Sequence, residues 1–201
     1  MRTVYGKYWD FSCDNRKRGI FMKETKTISM ILILILLSGC YPGISGMVVD
    51  GVNGKPLEGA LVLAQWTTTG GLPGLTHHSV YKIEEAETDK QGKFSISGVY
   101  NPFVDPPTMI VYQKGYVPWR NDMDFTNPTW EHYDKNIWKN DLTYKLNPWK
   151  EGYSKLRLDS FVGYGIIGAD FNNTPKFSTI SSELSKESQS EVDERKKKKI
   201  Q

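Results

Sequence analysis

Short β-type runs separated by turn residues fill the chain between Ile44 and Leu146, and this pattern constrains the fold most. Gly, Pro, Asn and Asp punctuate the runs, and segments of helical period are missing among them. The pattern therefore predicts an all-β sandwich or barrel. The candidate strands are residues 44–50, 60–66, 80–88, 93–97, 108–113 and 142–146.

The β-type runs predict different degrees of burial for their strands. Residues 60–66 form an apolar run long enough for a central strand, whereas Phe94 and Ile96 alternate with polar neighbours and point to one face. The Gly-rich stretch 67–79 is predicted to be a loop, and 122–140 a second long loop. Because loops on a rigid sandwich commonly carry binding residues, we expect any ligand to contact these two segments.

Three motifs carry a resemblance to a known domain: "ISGMVVDGVNGKPLEGALV", "TDKQGKFSISGV" and "MIVYQKGYVP". In this order they resemble the carboxypeptidase regulatory-like domain, a transthyretin-like β-sandwich of about seven strands. The resemblance implies such a sandwich over residues 44–148. Residues expected to fill the space between its sheets are Ala60, Val62, Phe94, Ile96, Ile110 and Tyr116. The accessory domain of that family lacks zinc ligands, so the resemblance implies a scaffold and no peptidase activity.

An apolar run lies ahead of this region. Residues 30–37 are all apolar and follow Lys23 and Lys26. A membrane-spanning helix needs about 20 apolar residues, so the run is too short to span a bilayer. Positive charge, a short apolar run and small residues are typical of a secretory signal. Residues 1–39 are therefore predicted to be a helical signal peptide, with 1–21 an over-extended start because Met22 is a more ordinary beginning.

The end of this segment, Leu37, Ser38, Gly39 and Cys40, resembles the lipobox of bacterial lipoproteins. The resemblance implies that the Cys40 sulfur is diacylated, that the chain is cut before it and that the new amino terminus is acylated. Residues 40–43 would be the lipidated N-terminus, and the membrane would be a partner through the lipid. The alternative is an uncleaved signal-anchor helix. Both place the remaining chain in the cell envelope, and Tyr41, where an inner-membrane lipoprotein has Asp, favours the outer membrane.

Net charge gives no support to one class of partner. The chain has 26 basic and 23 acidic residues, and residues 1–39 hold seven and three of them, so residues 40–201 hold 19 and 20. The excess of positive charge belongs to the targeting segment. Nothing in the charge of the mature chain indicates nucleic-acid binding.

Aromatic residues concentrate in the second half of the predicted sandwich. We identify Trp119, Trp130, Tyr133 and Trp138 as candidate binding residues, because flat aromatic faces stack on sugar rings or on partner proteins. A protein or carbohydrate ligand is the partner that this interpretation predicts. The alternative is that the aromatic side chains pack the C-terminal segment.

Residues with catalytic or metal-binding chemistry are arranged without a recognisable motif. His77 and His78 are adjacent and point in different directions, and with Glu131 and His132 they do not match a zinc spacing. We therefore predict no metal site, no cofactor and no enzymatic activity. Glu84, Glu85 and Glu87 are interpreted as a solvated strand face. The enzymatic alternative is a hydrolase that uses carboxylates on the long loops.

Two features remain in the C-terminal part. Residues 163–168 match G-x-G-x-x-G, but the strand and following helix that a dinucleotide site needs are missing. An apolar helical face is predicted instead, formed by Leu158, Phe161, Val162, Gly165, Ile166 and Ala169. Residues 149–175 are interpreted as an amphipathic extension and 176–201 as a charged tail, helical or disordered.

The hypothesis that follows is a non-enzymatic, membrane-anchored lipoprotein whose β-sandwich is a binding or envelope-assembly module. A purely structural envelope protein is the third interpretation. It differs from the binding module in having its tryptophans buried.

Overall fold

The computed structural model describes residues 40–41, 43–72, 74–127, 129, 141–164, 166 and 173–200. Residues 40–201 belong to one compact unit. Its strands are β1 Cys40–Tyr41, β2 Ile44–Asp50, β3 Leu61–Leu72, β4 Leu75–Glu87, β5 Lys93–Ile96, β6 Val99–Tyr100, β7 Thr108–Tyr112, β8 Trp119–Arg120 and β9 Leu142–Leu146. Its helices are α1 Lys155–Gly163 and α2 Pro175–Ile200. The prediction of a mostly β chain is therefore confirmed.

The strands form two main sheets and a short ribbon. One sheet has the order β5-β2-β9 and the other β4-β3-β7-β8, while β1 pairs with β6. Strands β2 and β9 are parallel and the other pairs are antiparallel. The first and last long strands of the body are thus neighbours, although Asp50 and Leu142 are far apart in the sequence.

Side chains of both main sheets meet in one buried cluster. Successive side chains of a strand point to opposite faces of the sheet, so every second residue enters the cluster. In β5, Phe94 and Ile96 are buried while Lys93 and Ser95 are exposed. Each large apolar side chain buried here contributes about 1.5–3 kcal/mol. The sheet residues of the cluster are Ile44, Val48, Ala60, Val62, Ala64, Trp66, Phe94, Ile96, Met109, Val111, Tyr144 and Leu146.

The four-stranded sheet is buried on its second face as well, because the two helices cover it. This second cluster contains Leu61, Leu63, Ile110 and Tyr112 from the sheet, Phe125, Leu158, Phe161 and Val162 near or in α1, and Phe177 and Leu184 from α2. Burial on both faces explains the uninterrupted apolar run of β3. The prediction that Ile110 lies between the sheets was wrong, since it alternates with Met109 and Val111 and points to the helices.

Of residues 67–79, predicted to be a loop, residues 67–72 and 75–79 are strand. They form the outer half of the β3–β4 hairpin, in which Thr67 pairs with Val80 and Leu72 with Leu75. Three consecutive threonines favour extended backbone, and Gly71 and Gly74, with φ of 108° and 88°, supply the positive φ values of the turn. The glycines that indicated a loop therefore mark only its tip.

Residues 176–201, interpreted as a charged tail, belong largely to α2. Phe177, Ile180 and Leu184 recur at helical spacing and pack on the second cluster. The lysines near Ile200 continue the helix beyond this contact. Within the described residues, neither helix combines the length and apolar character that a membrane span requires.

Two of the motifs that resemble the carboxypeptidase regulatory-like domain, the first and the third, meet at the turn after β2. The Asp50 carboxylate accepts hydrogen bonds from the backbone N–H groups of Val52 (2.7 Å) and Asn53 (3.1 Å) and from the Tyr116 hydroxyl (2.9 Å). The two backbone bonds are the main reason why the pKa of Asp50 lies below its ordinary value, and the same carboxylate raises the pKa of Tyr116. These two motif residues hold the turn and are structural.

Candidate functional site

Cys40 lies at the start of the folded unit. In the β1–β6 ribbon the Cα of Cys40 is paired with Tyr100 and that of Tyr41 with Val99. Only residues 42 and 43 separate this ribbon from β2. The site at which a lipid would be attached therefore belongs to the edge of the body and not to a long linker. Leu37, Ser38 and Gly39 lie outside the described residues.

Trp119 is the one candidate aromatic residue within the described residues, because Trp130, Tyr133 and Trp138 lie outside them. It is half-buried on β8 and packs against the cluster between the sheets. Its ring meets Tyr144 edge-on, with 4.8 Å between centroids. Packing of this kind holds the ring in place and leaves only part of it open.

A surface pocket of about 300 Å³ lies beside Trp119. Its wall is formed by Val117, Pro118, Trp119, Arg120, Met123, Asp124, Phe125, Thr126, Lys145 and Asn147. Asp124 already accepts hydrogen bonds from the backbone and hydroxyl of Thr126, both at 2.8 Å. The pocket is therefore lined by apolar and polar groups in similar measure, with the exposed Lys145 in its wall.

Arg120 forms the buried base of this region and is 1% exposed. Its Nε and one terminal nitrogen donate to the two carboxylate oxygens of Asp122, at 2.8 and 2.7 Å. The other terminal nitrogen donates to the backbone oxygens of Phe161 (2.7 Å) and Tyr164 (2.5 Å) at the end of α1. The guanidinium thus joins β8 to backbone carbonyl groups at the C-terminal end of α1.

Arg157 fixes the outer wall of the pocket. Its side chain donates to the backbone oxygen of Phe125 at 3.0 and 2.8 Å and also to that of Asn127. The Phe125 ring packs against Trp149 and Tyr153, with centroids 5.7 and 5.4 Å away. Two arginines therefore connect the segment after β8 to α1, and neither was identified from the sequence.

The glutamates of β4 support the fold. Glu84 lies 2.6 Å from the Lys82 amine and accepts from the Ser97 backbone, whereas Glu85 accepts from the backbone N–H groups of Lys176 and Phe177 at the start of α2. Glu87 pairs with Lys176 at 2.6 Å. The interpretation of a uniformly solvated face was thus wrong for Glu85, because α2 begins over it and presents its free N–H groups.

Carboxylates do not converge in four pockets formed by described residues. These four pockets each have a single carboxylate in their wall, namely Asp124, Asp159, Asp141 and Glu183. A hydrolase that uses a pair of carboxylates would need two of them at one reacting bond.

The histidines lie on the outer part of β4. His77 and His78 are exposed, and Nδ1 of His78 is 3.0 Å from the Thr69 hydroxyl and 3.9 Å from Asp105. Glu131 and His132 lie outside the described residues. Within the described part of the chain, no three His, Cys, Asp or Glu side chains are grouped as a metal ion requires.

The G-x-G-x-x-G match begins at the last residue of α1. Gly163 ends that helix, so a helix and not a strand precedes the motif. Residues 165 and 167–172 lie outside the described residues. The predicted apolar face is present where it is described, since Leu158, Phe161 and Val162 are buried.

Glu191 of α2 caps the start of α1. Its carboxylate accepts from the backbone N–H groups of Lys155 and Leu156 and from the Ser154 hydroxyl. Burial raises the pKa of this carboxyl, but the hydrogen bonds and the charge of Arg195 together lower it more, so that the pKa lies below its ordinary value of 4.5. The carboxylate therefore stabilises the helix pair in its charged form.

We expect Glu191→Gln to lower the free energy of unfolding by about 1 kcal/mol at pH 7, because a neutral amide binds the α1 N-terminus less strongly. The folded-state pKa is depressed, so the contribution of the carboxylate is complete above pH 4.5 and is lost as the pH falls through the folded-state pKa. The difference from the wild type should then shrink in acid. Urea unfolding between pH 3 and 7 measures it. Glu194→Gln, an exposed position on the same helix, should change stability little at any pH; equal losses for both variants would contradict the cap.

Comparisons with known proteins give partial likenesses to solved structures, two of which are pilins. No family model and no curated protein match the chain. A Streptococcal ancillary pilin is 18% identical with a TM-score of 0.30, over 54% of this chain and 29% of that one. The C-terminal domain of the shaft pilin spaA from Lactobacillus rhamnosus GG is 13% identical with a TM-score of 0.29, over 55% of this chain and 98% of that one. TM-scores of this size assign neither a fold family nor a function.

Proposed function

We propose that this chain is a bacterial lipoprotein, anchored through Cys40, that holds a non-catalytic, transthyretin-like β-sandwich in the cell envelope as a binding or assembly module. The observation that carries the proposal is the coincidence of two boundaries. The compact unit begins at Cys40, which is also the residue that follows the lipobox-like Leu37, Ser38 and Gly39. Cleavage before Cys40 would release an intact folded body.

The backbone position of Cys40 supports lipid attachment. Within the described part of the chain its backbone pairs with the two-residue strand β6, at the end of the body where β2 begins. Several acyl chains at this position would hold the body close to the bilayer, since each buried CH₂ contributes about 0.8 kcal/mol. A periplasmic or surface location and a preference for the outer membrane, which Tyr41 favours, are part of the proposal.

The three tryptophans within the described residues favour an assembly or structural role over stacking on a sugar. Trp66 is fully buried, Trp119 packs on Tyr144, and Trp149 packs on Phe125 and Tyr153. The pocket beside Trp119 is where a small ligand would bind if the body has one. A protein of the envelope is the partner we propose for the body.

Labelling of growing cells with radioactive palmitate tests the anchor. We expect label on the wild-type protein and none on Cys40→Ala, because the thiol is the attachment point. Cys13→Ala is the matched control and should be labelled as the wild type is, since Cys13 precedes the predicted cleavage site. Label that survives Cys40→Ala, or that is missing from the wild type, would contradict the proposal.

A further inference from the structure

Four large apolar side chains are exposed at the end of the body that contains Cys40. Leu72 and Leu75 at the tip of the β3–β4 hairpin are 72% and 78% exposed, and Tyr100 and Phe103 are both 83% exposed. We call these four residues the anchor-end surface. Among the described residues they make up half of the large hydrophobic side chains that are strongly exposed, so their concentration at one end needs a physical reason.

Strand directions place these residues together. Strand β2 begins at this end, and β5, antiparallel to it, finishes here with Ile96 opposite Ile44. The start of β3 lies at the other end of the body. Leu57, shortly before β3 in the chain, donates its backbone N–H to the backbone oxygen of Val48 in the second half of β2. The hairpin tip therefore extends past the Cys40 end of the body.

The loop that carries Phe103 is tied to the hairpin. The Asp105 backbone N–H donates to the Thr67 oxygen at 2.8 Å, and the Asp105 carboxylate accepts from the hydroxyls of Thr67 (3.2 Å) and Thr69 (2.8 Å). On the other side, the Lys82 amine reaches the backbone oxygens of Ser97 and Gly98. The exposed side chains thus project from a connected piece of structure.

Three segments at this end of the body contain no charged residue, and the carboxylate of Asp141, which accepts a hydrogen bond from the Ser45 hydroxyl at 3.1 Å, lies beside the start of β2. Residues 40–49, 66–81 and 94–104 contain no Asp, Glu, Lys or Arg. The charged groups that border these segments are satisfied locally, Asp105 by Thr67 and Thr69 and Lys82 by Glu84 at 2.6 Å. A surface with little charge and with exposed Tyr, Phe and Leu side chains matches the interface of a bilayer, where amphipathic aromatic residues are enriched.

We propose that the anchor-end surface inserts into the headgroup and acyl boundary of the membrane that holds Cys40. This inference rests on the proposed lipid anchor. The Cα atoms of Cys40 and Tyr100 are partners across an antiparallel ribbon, which places them about 5 Å apart. A lipid on Cys40 therefore brings Tyr100 to the bilayer surface, and Phe103 and the hairpin tip follow.

Insertion gives the body a fixed orientation. The hairpin and the 99–105 segment face the lipid, whereas the turn that follows β2 faces away from it. Val52 in that turn is 78% exposed and lies beyond the far end of the seven-residue strand β2, about 20 Å from the anchor end. Val52 is thus an apolar, equally exposed position that should remain in water.

The test uses the full-length protein, processed in the host and reconstituted in vesicles of phosphatidylethanolamine and phosphatidylglycerol. An environment-sensitive fluorophore is attached to Phe103→Cys, Leu75→Cys or Val52→Cys, because acylated Cys40 is not available to the reagent. We expect spin-labelled lipids to quench positions 103 and 75 several-fold more than position 52, and aqueous iodide to show the reverse order. All three positions are exposed, so the substitutions should leave the fold intact.

The outcomes separate this inference from the anchor. Lipidated protein in which position 103 is quenched as weakly by the spin-labelled lipids as position 52 overturns the inference and leaves the anchor standing. Shielding of position 103 from both quenchers indicates a protein occupant, such as a second copy, and also overturns it. If the chain proves not to be acylated, Cys40→Ser protein is added to the same vesicles. Quenching of position 103 by the spin-labelled lipids then supports membrane insertion of the anchor-end surface, and the absence of this quenching overturns it.

Discussion

Replacement of Arg120 by Met is expected to lower the free energy of unfolding by about 3–5 kcal/mol, the usual loss when one partner of a buried charge pair is removed. Methionine fills much of the same space but donates no hydrogen bond. Asp122 loses its two-point partner, and the carbonyl groups of Phe161 and Tyr164 lose their buried donor. Chemical unfolding monitored by fluorescence measures the change.

Two further variants make this result specific. Lys114→Met removes an exposed cation 3.7 Å from Glu183 and should cost less than about 1 kcal/mol. Arg120→Lys keeps the positive charge but not the planar fork, so we expect most of the loss to remain. A stability of Arg120→Met within the range of Lys114→Met would contradict the role given to Arg120.

Gly92→Ala is expected to destabilise the protein by about 2–5 kcal/mol, the sum of backbone strain and overpacking. Gly92 has φ of 73°, and a Cβ there would lie only 2.4 Å from the Val48 backbone oxygen. That oxygen accepts the Leu57 N–H at 3.0 Å, so the clash disturbs the junction of β2 with the segment that leads to β3. Thermal and urea unfolding of the purified protein measure the loss.

Gly54→Ala is the matched control for this variant. Gly54 has φ of 72°, nearly the same as that of Gly92, but a Cβ there would meet no atom within 4 Å. It should therefore cost only the strain of positive φ, about 1–2 kcal/mol. Equal losses at the two positions would show that the close approach to Val48 is unimportant.

The strands that could be predicted are those in which the order of apolar and polar residues fits a strand and does not fit a helix or a loop. The bounds Ile44–Asp50 and Leu142–Leu146 agree with prediction, because apolar runs or strict alternation end at clear turn residues. Phe94 and Ile96 are buried as predicted. They alternate with the polar residues Lys93 and Ser95, so this short strand has a single apolar face. Local pattern was sufficient in these cases.

The hairpin was missed because its signal is ambiguous. Residues 67–79 contain glycines that indicate a loop and threonines that favour a strand, and hydrogen bonding to the partner strand decides between them. Ile110 was assigned to the wrong face because its environment depends on the two helices, which begin 45 and 65 positions later in the chain. Propensity within β7 contains no information about a helix that covers it.

The candidate site was predictable only where covalent chemistry leaves a local motif. Leu37 to Cys40 form such a motif in the sequence. Arg120, Arg157 and Glu191 are surrounded by ordinary polar residues, and they become significant because the fold brings distant backbone groups to them. The anchor-end surface is likewise a product of topology, since three segments that are far apart in the chain meet there.

The most direct test of the account is the intact mass of the protein extracted from membranes of the host. We predict the mass of residues 40–201 increased by one diacylglyceryl group and one amide-linked acyl chain at Cys40. A mass that includes any part of residues 1–39, or a protein beginning at Cys40 with a free thiol, would contradict the lipid anchor on which the proposed function rests.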